Sequence, residues 1–579
     1  MLYFLLSWGL LLSTSFVTGI GILTLFPIDN FSRSGDRFFI SAWLGLVVLA
    51  NIFLAIALVI PLSPLIGLLV LGLITGLALR LSPVRTNAVN ILLQVSDRWL
   101  LIGALIAMGT ASLTSKQVSW FDTGLYHFGA IRWIADYGAV PGIALLNNGF
   151  AFVSSWFALA APFNPGFLGD RSSAILNGYL FFLVLLQGSV AAHYILAKRA
   201  VKSDWFIVIY CTLTLPLFVF TPFLSAILIS PSPDLPVILI TGIVAWATFS
   251  LSQQQQNCHT QATAMLQTKC SNWCCTDAMI PLVLGLGAVT FKLNGLPIVA
   301  IAALYYIAHN WDKPTQLALG AGVSLILLSP LLLFGIVTSG CPLYPSSWMC
   351  AAAPWALSSQ QAAHALARIN GWQDWFGSPP SDANVWLWTL SQWLQISHLN
   401  KVMLILVIIA IPSTIWILKK TNIRQNAAEL WIIALSLLGM GFIFSQAPLI
   451  RFGLGYFVLL PTLILATVCT HGNLSNSLVC QLVAPINQLP KALMFGALFI
   501  ISLTVINFSG IQLSQQLVMP PQLPTVKVNL MQVNNIQYFL PENSNKCWGS
   551  PLPCAPQQLN SDVWLRNPET GLRGGFRRR

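Results

Sequence analysis

The sequence predicts an all-α polytopic membrane protein of about fourteen transmembrane helices, with a small soluble region at its C-terminal end. Two observations carry that reading. The chain is 56% hydrophobic and only 8% charged, against roughly 25% charged in an average soluble domain. Apolar runs of about 20 residues, the length a helix needs to cross a bilayer, also recur along almost all of it. A water-soluble fold of 579 residues cannot cover its surface with so few charges.

Hydropathy places spans near 2–26, 39–60, 65–81, 99–115, 174–197, 205–228, 235–251, 278–292, 296–309, 317–338, 401–418, 430–446, 453–470 and 492–508. The apolar segment 1–26 has neither a basic start nor a small-residue cleavage site, so it reads as a retained span. Gly72 and Gly76 form one small-xxx-small spacing, which suits close helix packing. No internal repeat is visible, which speaks against a transporter made of inverted halves.

Orientation follows from the cations. Arg33 and Arg37, then Arg80, Arg85 and Arg98, then Lys198, Arg199 and Lys202, then Lys419, Lys420 and Arg424 fall on alternate connections. Putting those connections in the cytoplasm leaves 116–173, 339–400 and the tail outside. The net charge of +12 is then a product of topology and an arginine-rich end, and no motif points to nucleic acid. The chain divides into extra N-terminal helices at 1–97, a transmembrane core at 98–508 and an extracytoplasmic tail at 509–579.

The cysteines fit this map in two ways. Cys341 with Cys350 and Cys547 with Cys554 are close pairs on the outer side, and are either disulfides or free thiols. Cys258, Cys270, Cys274 and Cys275 lie with His259 in a Gln-rich inner segment whose spacing matches no regular zinc site. A disordered inner loop is expected there. The tail has a strand-like run at Thr525–Leu530, and its last residues, Gly574 to Arg579, read as a loose end.

The chemistry gathers at the expected outer ends of the spans. Ser119-Trp120-Phe121-Asp122-Thr123-Gly124-Leu125-Tyr126-His127 opens the first outer segment. A helix over Gly124–Tyr137 would lay Tyr126, Trp133 and Tyr137 in the headgroup interface. Asp122 can cap that helix or serve as a general base at the membrane surface, and local sequence favours the cap. Asp234, Lys292 and Arg451 end up at the same outer depth. Charges at span ends face a partner or an aqueous cavity, and four at one depth point to a shared polar cavity. Lysine and arginine there suit a phosphate, which arginine can bind with two hydrogen bonds. An acid beside them suits removal of an acceptor's proton.

The second outer segment holds Trp348, Trp355, Trp372, Trp375, Trp386, Trp388 and Trp393. These are either sugar-stacking platforms or an aromatic belt on the bilayer.

An acid opening the first outer loop, followed by interfacial helices and many more spans, resembles the GT-C superfamily of membrane glycosyltransferases. Asp122 to His127, with Tyr137-Gly138 and Val140-Pro141-Gly142, resembles more closely a group of poorly characterised bacterial membrane proteins with a GT-C-like core. Asn147-Asn148, Ser154-Ser155-Trp156, Phe291-Lys292-Leu293, Ala447-Pro448 with Arg451-Phe452, and Leu552-Pro553-Cys554 fit the same pattern. The resemblance runs from about residue 98 to the tail. It implies a polyprenyl-phosphate-linked sugar as donor, a glycan, lipid or protein as acceptor, and a periplasmic active face on a bacterial inner membrane. It also implies Asp122 as base, with Asp136 and Asp234 as further candidates. Arg451 and Lys292 would hold the donor phosphate, with His127, Tyr126 and Trp156 completing the substrate site. Two departures stand out. Asp122 is followed by Thr123 rather than a second acid, and about three spans precede the expected core. No cofactor is readable from the letters, and a divalent metal stays an open option.

Two rivals follow from the same residues. A transporter or flippase for a lipid-linked glycan calls for polar groups through the full depth of the spans. A non-catalytic assembly subunit has no need of an acid beside phosphate-binding bases.

Overall fold

A computed structural model describes residues 1–26, 31, 33–164, 174–262, 277–370, 376–420, 427–471 and 518–579. The helices are α1 (Leu2–Leu25), α2 (Ser34–Ala57), α3 (Pro64–Arg80), α4 (Ser82–Leu93), α5 (Asp97–Thr114), α6 (Phe128–Asp136) and α7 (Ser155–Ala160). They continue with α8 (Ile175–Leu196), α9 (Lys202–Phe220), α10 (Pro222–Leu228), α11 (Asp234–Ala262), α12 (Met279–Phe291), α13 (Leu296–Asn310) and α14 (Pro314–Ser339). The last are α15 (Ser359–Asn370), α16 (Val385–Ile396), α17 (His398–Lys420), α18 (Ala427–Gln446) and α19 (Ile450–His471).

Among the described residues, nine of these helices are long and apolar enough to cross a membrane, so the chain is built as an integral, multi-pass protein. Five of the fourteen expected spans are not among those nine, for separable reasons, and the bent pair α3–α4 would make a tenth if it is one span. The runs at 65–81, 99–115, 278–292 and 296–309 are helical, as α3, α5, α12 and α13. However, α3 meets α4 at a 98° bend, α5 opens on Asp97 and Arg98, and α12 is a short apolar helix. With 15 residues, α13 rises only about 22 Å, short of a roughly 30 Å hydrocarbon layer. The run at 492–508 lies outside the described residues, as do Trp372, Trp375 and most of the cysteine segment 258–275.

Polar side chains join the helices where apolar contact alone gives no register. The Trp8 indole donates to Ile175 O at 2.8 Å, and Trp43 to Gln187 Oε1 at 3.0 Å. Asn51 and Ser155 both donate to Thr290 Oγ1, fastening α2 and α7 to α12. The tightest backbone approach is between α1 and α2. A Cβ on Gly45 would lie 1.8 Å from Ser15 O, and one on Gly19 1.8 Å from Ser41 O. Gly72 and Gly76, the expected packing pair, face open space instead.

Charged contacts mark both ends of the bundle. At the end holding the start of α2, Arg33 pairs with Asp204 at 2.7 Å, and Lys202 with Glu429 at 2.6 Å. Arg33 and Lys202, expected on cytoplasmic connections, are thus paired with acids rather than free in solvent.

The tail folds into two antiparallel ribbons, β1 (Val528–Val533) with β2 (Ile536–Pro541), and β3 (Val563–Leu565) with β4 (Phe576–Arg578). The terminal arginine run is no loose end. Phe576 N–H donates to Pro141 O at 2.8 Å and Arg578 N–H to Pro354 O at 2.9 Å, while the Phe576 ring is fully buried. Gly142 sits at φ +67°, where a Cβ would meet Phe576 O at 2.4 Å, so the docking requires glycine there.

Candidate functional site

The turn after α5 does not use Asp122 as a cap. Residues Thr123–His127 form a π-helical turn, and Asp122 makes no capping hydrogen bond to it. Its carboxylate is instead bound by Arg451, Nη1 to Oδ2 at 2.8 Å. Arg451 stands in the first turn of α19, which brings in a charge 329 positions away in sequence. Its guanidinium is also 5.1 Å from the Trp120 ring and 4.6 Å from the Phe452 ring. Two aromatic faces therefore fix its plane.

A second ion pair lies beside the first. Asp234 begins α11 and is fully buried; Lys292 binds its Oδ1, and Ser232 Oγ donates to its Oδ2 at 3.1 Å. Lys292 closes α12, held where Ser154 Oγ donates to Phe291 O, and its ammonium stands 4.3 Å over Phe452. Phe452 thus lies under both cations. Lys292 interacts electrostatically with Asp234, Arg451 and Asp122, so the two pairs form one cluster. The cluster is not sealed. The side chains of Lys292, Asp122 and Arg451 keep 24%, 18% and 14% of their accessibility.

His127, buried, and Tyr126, partly buried, lie near it, packed on each other and on Phe157. Tyr126 is within reach of the charges of Asp122, Asp234 and Arg451, and His127 of those of Lys292, Asp234 and Arg451. Burial, followed by the two neighbouring carboxylates, pushes the Tyr126 phenol well above its usual range. Burial, with Lys292 and Arg451 adding to it, pushes the His127 imidazole well below its own, so the ring is neutral at physiological pH. Among the described residues, four groups here lack a hydrogen-bond partner: Arg451 Nε, Trp120 Nε1, Thr123 Oγ1 and His127 Nδ1.

Other candidates lie elsewhere. Asp136 ends α6, where Arg132 is the charge that acts on it, and it does not join the cluster. Trp156 is fully buried and donates to Asn177 Oδ1 at 3.0 Å, which places it in the packed scaffold behind the site. A small apolar cavity is lined by residues including Trp133, Phe150, Phe152 and Phe157, and by none of the four charges. Asp122, Arg451 and Lys292, expected to border one cavity, come together as a partly open cluster of ion pairs.

No group of three or more His, Cys, Asp or Glu side chains able to hold a metal occurs among the described residues. With Asp122 on Arg451 and Asp234 on Lys292, the carboxylates here do not fit a divalent-ion site.

The two close cysteine pairs are disulfides, Cys341–Cys350 and Cys547–Cys554. Trp133, expected at the headgroup interface, is buried beneath Phe576 of the tail. In the tryptophan-rich segment 339–400, Trp348 and Trp386 are exposed, whereas Trp393 stacks on Phe457 inside the bundle. Of the described tryptophans of that segment, some thus face outward and one is packed in the bundle. Trp120, Ser232 and Phe452 are site residues that the sequence reading overlooked. Each is adjacent to or two positions from a charge already picked out, and that proximity was the available signal.

No curated protein and no solved structure matches the chain. A match to the family described as "Domain of unknown function (DUF8201)" spans residues 1–458, a stretch that contains all four charges of the cluster and ends before the tail. The chain belongs to this family.

Proposed function

We propose that the protein transfers a sugar from a polyprenyl-phosphate-linked donor to an acceptor hydroxyl, at the end of the bundle that holds Asp122. The observation that carries this reading is the pairing of Asp122 with Arg451 beside that of Asp234 with Lys292. Arginine and lysine held side by side over one phenylalanine suit a phosphate ester. The unpartnered Arg451 Nε, Trp120 Nε1 and Thr123 Oγ1 offer it further donors.

The resting ion pair gives Asp122 its role. A donor phosphate competes with the Asp122 carboxylate for Arg451, and its binding frees that carboxylate to accept a proton. Asp122 then takes the acceptor's hydroxyl proton as the acceptor oxygen bonds to the anomeric carbon. The bond from that carbon to the phosphate oxygen breaks, and the polyprenyl phosphate leaves with the electron pair against Arg451 and Lys292. Direct displacement of this kind inverts the anomeric centre. The active face is periplasmic, on a bacterial inner membrane, in this reading. The GT-C likeness of the loop supports it.

A flippase for the same lipid-linked glycan is the second reading, favoured by the ion pairs at the opposite end of the bundle. Against it stands the packed apolar middle, where Val47, Trp246 and Leu284 are buried. The test is transfer from a radiolabelled polyprenyl-phosphate hexose into membrane acceptors by purified protein. The wild type should transfer and a normally folded Asp122→Asn variant should not. Equal transfer by both would remove Asp122 as base.

A further inference from the structure

The turn that carries Asp122 is gripped from both sides by the tail. Cys547 N–H and Trp548 N–H both donate to Gly124 O, at 2.8 and 3.2 Å. The Trp548 indole covers Gly124 so closely that a Cβ there would lie 2.6 Å from the ring. Trp548 also packs with Val118, Phe128 and Leu523. On the other side of Asp122, the Lys546 ammonium stands 4.3 Å over the Phe121 ring. About two helical turns beyond Gly124, Arg132 donates to Gly549 O at 3.3 Å and to Ser550 O at 2.7 Å. The Cys547–Cys554 disulfide closes the gripping segment into a short ring.

Trp548 adopts φ +42°. A bulky residue is held in that left-handed region only where its surroundings over-determine it, and such strain gathers at functional elements. The turn is π-helical and lacks a side-chain cap. Asn147 donates to Leu125 O at 3.0 Å and Phe157 packs on Tyr126 and His127, while the Gly124 carbonyl is held by the tail. A single carboxylate must meet Arg451 at 2.8 Å.

We infer that Trp548 is a positioning residue for Asp122, and that the disulfide-closed segment of the tail is a working part of the site although it lies beyond the family match. Its catalytic readout rests on the sugar-transfer reading; its structural readout does not.

The test uses the full-length protein with Trp548→Ala, Trp548→Phe and the double variant Cys547→Ser/Cys554→Ser. Hydrogen–deuterium exchange of segment 118–128 should accelerate about fivefold or more in Trp548→Ala and in the double serine variant, with α11 and α19 unchanged. Trp548→Phe, which keeps a ring on Gly124, should restore protection. In the transfer assay, Trp548→Ala should lower kcat about tenfold or more, while KM for the donor stays within about twofold because Arg451 and Lys292 are untouched. Wild-type exchange in 118–128 for Trp548→Ala would overturn the inference, as would a change confined to KM. Faster exchange in a protein whose wild type transfers no sugar would uphold the positioning role and count against sugar transfer alone.

Discussion

Arg451 holds Asp122 at 2.8 Å across 329 positions of sequence, with both side chains largely withdrawn from solvent. Two buried opposite charges stabilise a fold weakly as a pair, because their attraction offsets a desolvation cost of similar size. Removing one partner is different, since it leaves the other charge buried and alone. Arg451→Met should therefore destabilise the protein by about 3 kcal/mol, and Asp122→Asn/Arg451→Met by clearly less than the sum of its single changes. Thermal unfolding of the detergent-solubilised variants reads this coupling, and strict additivity would show that the pair is not formed.

The close approach of α1 and α2 gives a second prediction. Gly45→Ala puts a methyl group against the Ser15 carbonyl, which is backbone and cannot rotate away. A loss of about 2–3 kcal/mol is expected, from overpacking. Gly72→Ala, into open space, should leave the melting temperature unchanged or slightly raised. Equal effects at the two positions would contradict the packing described for α1 and α2.

Acid should weaken the fold beside the site through His127. Its ordinary pKa is 6.5, and in the fold burial, Lys292 and Arg451 hold it well below that value. Below about pH 6.5 the unfolded chain thus binds more protons than the folded one, and the stabilisation is full above that pH and fades as pH falls. The slope from this one group is at most about 1.4 kcal/mol per pH unit. Comparing unfolding at pH 8 and pH 5 should show a smaller acid loss for His127→Gln than for the wild type. An identical loss would mean that His127 does not resist protonation.

The four central charges were legible because a charge at the end of an apolar run stands out in a chain with so few. Alternating basic connections placed them at one depth. What the letters withheld was pairing. Asp122 looks like a helix cap when read with its neighbours, since nothing local announces Arg451. Lys292 is likewise explained by snorkelling until α12 is seen to stop short and present it to Asp234. The tail was the least legible part. Gly574 to Arg579 carries the composition of a loose end, yet β4 is specified by carbonyls of Pro141 and Pro354, more than two hundred positions away. Hydropathy registers an apolar helix such as α12 without registering its length, so among the described residues fewer helices than expected are long enough to cross.

Binding of a polyprenyl phosphate to purified protein tests the central claim most directly, because competition for Arg451 gives opposite signs for its two partners. Arg451→Gln should weaken binding by about tenfold or more, through loss of a charge-assisted contact. Asp122→Asn removes the competing carboxylate, so it should bind the phosphate as tightly as the wild type or more tightly, while failing to transfer sugar. If Asp122→Asn instead weakened binding as much as Arg451→Gln, the phosphate would not be displacing Asp122, and the proposed exchange at the heart of the site would be wrong.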